Sequence, residues 1–543
     1  MTAPRKLVAP LARELAEVAA TEVGACIRPL AVRRIDTQTG ARTTIPIPCG
    51  ATKASKCPPC ADRARRLRMW QAHEGWHLDT DPEIVTAEPT AEQLAVIGYR
   101  ADLEAARAAA LAEDDTDSVR DLERAIGDAD DMLRAAGARG TSRPPGERKP
   151  RRVRSTRRRQ DAPNLPRLPV ADRTTGRTFE TPDGRTYRPS TFLTLTLPSY
   201  GRMYADGSPV DPAVYDYRRA ARDAIHFGDL VDRFWQNLRR AAGWNVQYFA
   251  AVEPQRRGAP HLHAAVRGTI PRKLLRQVVA ATYHQVWWPA HDEPVYSPDR
   301  GPVWDETLDE PGYVDPDTGR PLLTWDQALD EIGTDDDAEP AHVVRFGTQV
   351  DIQGVLGDTE QAGHCLRYLV KYVTKSLDEC HEPDSSSAIA HVDRLAHALR
   401  FEPCSPTCAN WLLYGVVPEN AKAGLVPGLC KGKAHKRENL GYGGRRCIVS
   451  RKWSGRNLTE HRTERRDHVL RTLGVVGAAV EQATPDGERE RYQWQPIRPS
   501  DPDQPDRLEL MLRLISERKR WREQYERARD LAAELPATDD HAA

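Results

Sequence analysis

Residues 248–268 read YFAAVEPQRRGAPHLHAAVRG, two apolar runs separated by the turn-rich segment PQRRGAP. This pattern predicts a hairpin of two short strands. Because side chains alternate along a strand, His261 and His263 should project from one face while Leu262 points to the other. The hairpin should also bring Glu253 beside the two histidines. Two imidazoles and a carboxylate on one sheet face predict a three-ligand metal site with positions open for water or substrate.

The segment GHCLRYLVKYVTKSLDEC, residues 363–380, supplies tyrosines and lysines with helical spacing. His364, Tyr368, Tyr372 and Lys375 fall on one stripe of the predicted helix. A surface amphipathic helix uses tyrosine and lysine in the same way, and two half-exposed histidines are the simpler interpretation of the strand pattern. The strand and the helix considered together favour a reactive site.

A metal site beside a tyrosine is suited to phosphodiester transesterification. A divalent ion makes phosphorus more electrophilic and stabilises the departing 3′ oxygen while the tyrosine attacks. Free tyrosine has a pKa near roughly 10, so a neighbouring Lys371 or Lys375 would favour the phenoxide. The products are a 5′-phosphotyrosyl bond and a free 3′ hydroxyl that can prime DNA synthesis.

The ten cysteines are expected to be metal ligands or buried thiols rather than disulfides, because the sequence shows no secretory leader and predicts a cytosolic protein. No run of 18 apolar residues predicts a membrane span. One group contains CPPC, a turn that can present two thiolates to a tetrahedral Zn²⁺ ion, with separate buried thiols as the alternative. Its members are Cys26, Cys49, Cys57 and Cys60. A second group, with CSPTC followed by a cysteine and a histidine, comprises Cys404, Cys408, Cys430 and His435.

Charge is distributed unevenly along the chain, although 79 basic and 79 acidic residues balance overall. Residues 139–159 contain ten basic residues and one acid, whereas residues 301–340 contain thirteen acids and one base. The basic segment has the local charge that nucleic-acid binding requires, although a solvated linker is an equally good interpretation. The acidic segment would repel DNA, so we expect an exposed insertion.

The length of 543 residues predicts several structural units. They are an N-terminal helix and four-cysteine zinc ribbon (1–80), a helical hairpin (85–138), a basic proline-rich linker (139–178), a catalytic core (180–400) with the acidic insertion (300–340), a second zinc module with a return strand (401–470), and a polar linker with a C-terminal helix (471–543). The N-terminal helix should place Leu7, Leu11, Leu15 and Val18 on one side.

Three ordered motifs of the chain resemble those of HUH endonucleases, and specifically of rolling-circle replication initiators. They are FLTLT, EPQRRGAPHLH and KYVTKSLD. Together with CPPC, CSPTCANW and GYGGRRCIVSRKWSG, the wider chain is similar to replication initiators of actinobacterial plasmids and integrative elements over most of residues 20–470. The resemblance implies an α+β fold in which a central antiparallel sheet of about five strands, the histidine strand in the middle, forms an HUH core. Flanking helices, zinc-ribbon modules and helical extensions would complete it.

The resemblance also implies roles for individual residues. His261, His263 and Glu253 would hold Mn²⁺ or Mg²⁺, and the cysteine groups would hold Zn²⁺. Both Tyr368 and Tyr372 fit the pattern Y-x-x-K, and KYVTKSLD fits the family better, which favours Tyr372 as the nucleophile. Tyr368 would then be a second nucleophile or a base-stacking residue. A carboxylate that activates water to end replication would be Asp378 or Glu379.

The implied function is the nicking of origin DNA, with a host helicase and the replication machinery as partners and without a membrane. Two other functions fit the same motifs. A relaxase or transposase for DNA transfer would use the same chemistry, although relaxases usually take a third histidine as ligand where this chain offers Glu253. A zinc-dependent DNA-binding regulator would use the cysteine groups and leave the histidines without a catalytic role.

Overall fold

The structure of the protein, a computed structural model, describes sixteen stretches of the chain. They are residues 5–76, 78, 80–82, 90–113, 115–135, 165–180, 182–184, 186–335, 337–356, 359–371, 385–456, 458, 460–464, 491–497, 501 and 504–534. The chain divides into two compact units, one of Met1–Pro82 with Thr156–Ala543 and one of Glu83–Ser155. The basic segment 139–159 lies outside the described residues.

Helices and strands alternate irregularly along the chain. The helices are α1 (Arg5–Val23), α2 (Pro58–Trp76), α3 (Ala91–Ala112), α4 (Thr116–Ala135), α5 (Tyr217–Ile225), α6 (Phe227–Ala242), α7 (Arg272–Ala281), α8 (Trp325–Thr334), α9 (Glu360–Lys371), α10 (Ser386–Phe401) and α11 (Arg507–Glu534). The strands are β1 (Leu30–Asp36), β2 (Arg42–Ile47), β3 (Phe179–Glu180), β4 (Thr186–Tyr187), β5 (Pro189–Thr196), β6 (Tyr248–Pro254), β7 (Pro260–Val266), β8 (Tyr283–Val286), β9 (Val303–Asp305), β10 (Gly312–Val314), β11 (Leu323–Thr324), β12 (His342–Arg345), β13 (Val350–Leu356), β14 (Val416–Val417), β15 (Cys447–Val449) and β16 (Tyr492–Pro496).

The smaller unit contains α3 and α4, which pack against each other. Thr90 caps α3 by accepting a hydrogen bond from the backbone N–H of Gln93, whose side chain bonds back to the Thr90 backbone. Val96, Ala129 and Leu133 form the small apolar contact between the helices. This unit contributes no cluster of chemically reactive side chains among its described residues.

A five-stranded antiparallel sheet forms the centre of the larger unit, in the order β13-β5-β7-β6-β15. The histidine strand β7 is therefore in the middle, as the sequence predicts. The turn between β6 and β7 is tight, and Gly258 at its end has a φ of 77° that favours glycine. Its backbone N–H donates to the carbonyl oxygen of Gln255 at 2.8 Å. The strand predicted within RRCIVSRKW is the edge strand β15.

One face of the sheet is covered by α5, α6, α7 and α10. The alternation of TFLTLTL directs Leu193 and Leu195 to this face, and Leu262 joins them from β7. Phe234 and Trp235 of α6 are almost fully buried on it. Helix α7 ends at Ala281, and the chain continues as β8, which pairs with β12.

The opposite face carries α2 and α9. The small side chains of Ala251 and Ala265 leave room on it for Leu366 and Leu369 of α9. Because Leu262 points to the first face, the neighbouring residues on β7 point to this one. The predicted metal ligands therefore lie on the side of the sheet that α9 covers.

The N-terminal and C-terminal segments form one module, although the sequence suggested two separate regions. Strand β1 pairs with β2 on one side and with β16 on the other, antiparallel in both cases. Helix α1 packs on α11 through Ala16, Ala20, Met511 and Ile515. The predicted apolar side of α1 is wrong, because Leu11, Leu15 and Val18 are 58–62% exposed. Small alanines, which allow close helix approach, form the actual contact.

The acidic segment 301–340 is not the wholly exposed insertion that its charge predicts. Tyr313 and Trp325 are 3% and 7% exposed, and Trp325 packs near Trp411 with ring centroids 5.1 Å apart. The aromatic residues among the acids supply an apolar side that a count of charges does not reveal. Among the described residues, no helix has both the length and the apolar character needed to cross a membrane.

Candidate metal and tyrosine site

Glu253, His261 and His263 meet on the α9 side of the sheet. Glu253 on β6 is directly opposite His261 on β7, and Ala251 is opposite His263. The Nε2 atoms of the two histidines are 2.7 Å apart, and Nε2 of His263 is 3.8 Å from Oε2 of Glu253. One ligand atom from each of the three side chains lies within 4.8 Å of the others. The hairpin register thus brings together the three ligands that the sequence predicts.

The chemistry of these side chains fits a metal ion. Glu253 is 5% exposed and His263 is 7% exposed. Oε1 of Glu253 and Nδ1 of His261 are buried and have no hydrogen-bond partner among the described residues. Buried polar atoms without partners are costly, and a divalent cation would satisfy the carboxylate. Two imidazoles and one carboxylate leave coordination positions for substrate.

Burial sets the protonation of the three side chains. It raises the pKa of Glu253 to about 8, against the lowering effect of Arg446 and Lys371. Burial, with the second imidazole, lowers the pKa of His261 to about 3, and burial lowers that of His263 to about 4. At neutral pH both rings are therefore uncharged and able to act as ligands, whereas Glu253 retains a proton that a bound cation would displace.

Thr194 fixes the orientation of His263. The hydroxyl oxygen of Thr194, opposite His263 in the β5–β7 register, is 2.9 Å from Nδ1 of the ring. This contact leaves Nε2 directed toward the cluster, which is how outer hydrogen bonds position metal-ligating histidines. Thr194 was not among the residues predicted from the sequence. The alternation in TFLTLTL could have identified Thr194, because it places Thr194 and Thr196 on the face opposite Leu193 and Leu195.

Tyr368 on α9 reaches the same cluster. The helix begins beside Thr359, whose hydroxyl accepts from the backbone N–H of Ala362 at 3.2 Å. The apolar residues of α9 face the sheet, and the half-buried Tyr368 lies at their edge. Its hydroxyl oxygen is 3.3 Å from Nε2 of His263, and the two rings are perpendicular with centroids 5.0 Å apart. A phenol therefore contacts the face of the sheet where the metal ligands meet.

The remaining residues of the predicted helical stripe have different positions. His364 is exposed. Lys371, the last residue of α9, is close enough to lower the pKa of Glu253, and so is Arg446 just before the edge strand. The side chains predicted as nucleophile, cation and terminating carboxylate lie outside the described residues. They are Tyr372, Lys375, Asp378 and Glu379.

The first cysteine group comes together as predicted from CPPC. The sulfurs of Cys49 and Cys60 are 3.8 Å apart, and those of Cys26 and Cys57 are 3.7 Å apart. Zinc–sulfur bonds of about 2.3 Å in a tetrahedron give sulfur separations of about 3.8 Å. The backbone N–H groups of Arg28 and Cys49 both donate to the sulfur of Cys26 at 3.3 Å. These four residues could hold a Zn²⁺ ion.

The second cysteine group has a comparable geometry with one histidine. The sulfurs of Cys404 and Cys430 are 4.0 Å apart, and the sulfur of Cys408 is 3.4 Å from Nε2 of His435. Nδ1 of His435 lies 2.7 Å from the carbonyl oxygen of Leu399, which selects Nε2 as the ligand atom. This group could also hold Zn²⁺. No disulfide joins any of the nine cysteines that the structure describes.

Two groups of potential ligands were not found from the sequence. They are His226, Asp229 and His284, and Glu74, His461 and Glu464. Each group combines two residues that are three positions apart with a third residue that is distant in the chain. The packing of β8 on α6 and of α2 near residue 461 brings them together.

The family of the chain follows from comparison with known proteins. The family model RepSA, described as the replication initiator protein of pSAM2, matches residues 12–517. The chain belongs to the RepSA family. A curated relative, the replication initiator protein of Streptomyces ambofaciens, is 27% identical over 272 residues. The match covers 41% of this chain and 52% of the relative, so the chain spans about half the length of that protein.

The RepSA assignment confirms the predicted resemblance to plasmid replication initiators. The family match includes both cysteine groups, the histidine hairpin and α9. No solved structure matches the chain. The roles of individual side chains therefore depend on the geometry of this structure.

Proposed function

We propose that this RepSA-family protein initiates plasmid replication by nicking origin DNA with a tyrosine nucleophile and a divalent metal. The observation that carries the proposal is the convergence of Tyr368, His263, His261 and Glu253 on one face of the sheet. A phenol in contact with three potential metal ligands has the groups that metal-assisted nucleophilic attack requires. Membership in a family of replication initiators supports the phosphodiester backbone of origin DNA as the substrate.

The three ligands would hold Mn²⁺ or Mg²⁺ at the scissile phosphate. When bound, the ion would draw electron density from a nonbridging oxygen and stabilise the charge on the departing 3′ oxygen. Glu253 gives up its proton to bind the ion, and Thr194 keeps the His263 ring in the ligating orientation. The positive charges of Lys371 and Arg446 favour both the approach of the phosphate and the phenoxide form of the nucleophile.

Tyr368 is the nucleophile in this proposal. Its oxygen forms a bond to phosphorus while the bond from phosphorus to the 3′ oxygen breaks. The proton lost by the phenol is balanced by the proton that the released 3′ oxygen takes up. The protein remains joined to the 5′ end, and the 3′ hydroxyl is available as a primer for the host replication machinery, with a host helicase unwinding the duplex.

The sequence favours Tyr372, whereas the described geometry supports Tyr368. On a helix the two positions are four residues apart and share a face. The contact between the Tyr368 hydroxyl and His263 at 3.3 Å is the reason for assigning the attack to Tyr368. Tyr372 remains a sequence prediction, and phenylalanine variants of the two residues distinguish them.

The test uses supercoiled DNA that contains the candidate origin, incubated with protein and Mn²⁺. We expect nicked circles with protein covalently attached, and loss of both in Tyr368→Phe. Tyr204→Phe is a matched control, because Tyr204 is 58% exposed and outside the cluster. Loss of the adduct in Tyr372→Phe but not in Tyr368→Phe would transfer the role to Tyr372.

The adduct assay, combined with a test of plasmid replication without the protein, distinguishes the alternative functions. A zinc-dependent regulator without catalysis would bind the DNA and form no adduct in the wild-type protein. A relaxase or transposase would form the adduct, but the plasmid would replicate normally without the protein. Failure of the wild-type protein to nick any candidate origin would contradict the enzymatic proposal.

A further inference from the structure

We propose that His226, Asp229 and His284 form an additional transition-metal site, separate from the tyrosine site and from both cysteine groups. His226 connects α5 to α6, Asp229 lies in the first turn of α6, and His284 is on β8. Oδ2 of Asp229 is 3.6 Å from Nδ1 of His226 and 3.7 Å from Nε2 of His284. All three ligand atoms lie within 4.8 Å of one another.

These separations match a shared ion better than hydrogen bonds. A hydrogen bond between nitrogen and oxygen requires about 2.7–3.2 Å, so both contacts are too long. A tetrahedral ion with bonds of about 2.1 Å to nitrogen and oxygen places its ligand atoms about 3.4 Å apart. The distances from Oδ2 of Asp229 to the two imidazole nitrogens, 3.6 Å and 3.7 Å, are close to this value.

The burial of the two imidazoles supports the same interpretation. His226 is 5% exposed, and the ring of Trp288 packs against it with centroids 4.6 Å apart. The side chain of His284 is 18% exposed, and its Nε2 faces the carboxylate of Asp229. The side chain of Asp229 is 59% exposed. The cluster is therefore enclosed on the imidazole side and open to ions and water on the carboxylate side.

A nearby histidine is held apart from the cluster. His342 on β12 shares a sheet face with His284, but its Nε2 is 2.6 Å from Oδ1 of Asp223. The other oxygen of Asp223 accepts from the hydroxyl of Tyr200 at 2.8 Å. The site thus has two imidazoles and one carboxylate, a set of ligands that binds Zn²⁺, Co²⁺ or Ni²⁺. A bound ion would cross-link β8 to the first turn of α6.

Metal content and thermal stability test this site in the full-length protein. Purified protein is treated to remove loosely bound metal, then titrated with Zn²⁺, and bound zinc is counted by mass spectrometry. We expect His284→Ala to bind one equivalent less than the wild type and to lose the zinc-dependent rise in unfolding temperature. His397→Ala, which alters a histidine on α10 outside the cluster, should match the wild type. Equal stoichiometry in wild type and His284→Ala would overturn the proposal.

A second, independent feature is a basic groove bordered by α2, α9 and α11. It encloses about 1790 Å³ and is lined among the described residues by seven arginines, four carboxylates and three aromatic residues. The aromatic residues are Trp70, Trp521 and Tyr525. Trp70 and Trp521 are 45% and 42% exposed, although indoles of this size are usually buried. Exposed indoles among arginines are the features that bind single-stranded nucleic acid.

The geometry points to the groove as a binding site for the single strand that continues from the nicked phosphate. This inference rests on the proposed function. Arg367 lines the groove, and the next residue along α9 is Tyr368, which contacts His263. Bases in a duplex stack on one another, so only an unpaired strand can use the two indoles. Some of the arginine charge is neutralised locally, since Arg66 pairs with Asp62 and Arg522 with Glu526. Stacking should therefore contribute more than charge alone.

Binding of a labelled oligonucleotide tests the groove without requiring cleavage. A fluorescent oligothymidine of about 20 nucleotides is titrated with Tyr368→Phe protein in the absence of added Mn²⁺. Adding Trp70→Ala and Trp521→Ala together should weaken binding by about tenfold or more. Trp494→Ala is the matched control, because Trp494 is 47% exposed but lies outside the groove.

The outcomes separate this inference from the proposed function. Unchanged single-strand affinity in the double tryptophan variant, or a loss confined to duplex DNA or to a protein ligand, would overturn the groove assignment. An adduct assay that fails while oligonucleotide binding remains sensitive to the two tryptophans would instead contradict the nicking mechanism.

Discussion

The hydroxyl oxygen of Tyr368 lies 3.3 Å from Nε2 of His263, across the interface between α9 and the central sheet. His263 is held from its other nitrogen by Thr194 and is grouped with His261 and Glu253. One phenol therefore reaches a set of three potential metal ligands whose positions are fixed by the register of a single hairpin. Each part of this arrangement can be tested separately.

Thr194→Val should weaken metal binding while leaving the ligands in place. The substitution removes the hydroxyl that contacts Nδ1 of His263 but nearly preserves the shape of the side chain. Loss of such an outer contact typically lowers metal affinity by about 10–100-fold. Calorimetric titration with Mn²⁺ measures the change. Thr196→Val is the control, because the Thr196 hydroxyl donates to the carbonyl oxygen of Gln349 instead. Equal affinities for the two variants would contradict the positioning role of Thr194.

Metal affinity should depend on pH through Glu253. The pKa of this carboxyl is raised to about 8, so below that pH the metal-free site holds a proton that a cation must displace. Affinity for Mn²⁺ should therefore rise by about tenfold per pH unit up to about pH 8 and then level off. The histidines, with pKa values of about 3 and 4, carry no competing protons in this range.

Titrations in buffers of different ionisation enthalpy would measure the proton released on binding. Glu253→Gln should bind metal more weakly and lose the pH dependence between about pH 6 and pH 8. A wild-type affinity that is constant over this range would show that Glu253 is already ionised, or that it does not bind the ion.

Gly75→Ala should destabilise the larger unit. A Cβ atom at this position would lie 2.2 Å from the ring of Trp453, which is fully buried and donates from Nε1 to the carbonyl oxygen of Gln71. Overpacking of this kind costs about 1–3 kcal/mol. Gly98→Ala provides the comparison, since open space surrounds that position on α3 and alanine favours a helix by about 1 kcal/mol. Urea unfolding should show opposite changes, and a neutral Gly75→Ala would contradict the close packing of Trp453 on α2.

Loss of zinc from each cysteine group should destabilise a different region of the protein. Cys57→Ser should lower the zinc content by one equivalent and increase proteolysis of α11, which packs on that group through Leu514. Proteolysis of α1 and of the β16 segment should also increase, because α1 packs on α11 and β16 pairs with β1. Cys408→Ser should instead expose the region around Trp411 and α8. Limited proteolysis followed by mass spectrometry would locate the cleavage sites. Unchanged zinc content in both variants would contradict the assignment of these ligands.

The histidine hairpin was predictable because its information is local. Glu253, His261 and His263 lie within eleven residues, and strand alternation with a tight turn fixes which side chains share a face. The choice between Tyr368 and Tyr372 was not predictable in the same way. It requires knowing which phenol contacts the metal ligands, and tertiary packing determines that.

Contacts between segments that are distant in the chain could not be predicted from the sequence pattern. The pairing of β1 with β16 joins residues separated by about 455 positions, as in the ion pair between Asp36 and Arg491. No local pattern specifies such a partner. For the same reason the apolar side of α1 was assigned to its leucines, whereas its alanines face α11. The cluster of His226, Asp229 and His284 likewise depends on the packing of β8 against α6, which no local pattern predicts.

The central claim is that a tyrosine beside the histidine hairpin becomes covalently joined to DNA. The most direct measurement isolates the protein–DNA adduct formed with Mn²⁺, digests both components, and identifies the modified peptide by mass spectrometry. We expect a 5′-phosphonucleotide on Tyr368 and no adduct in His263→Ala. A nucleotide attached to a residue away from this site, or an adduct that forms equally well in His263→Ala, would contradict the proposed mechanism.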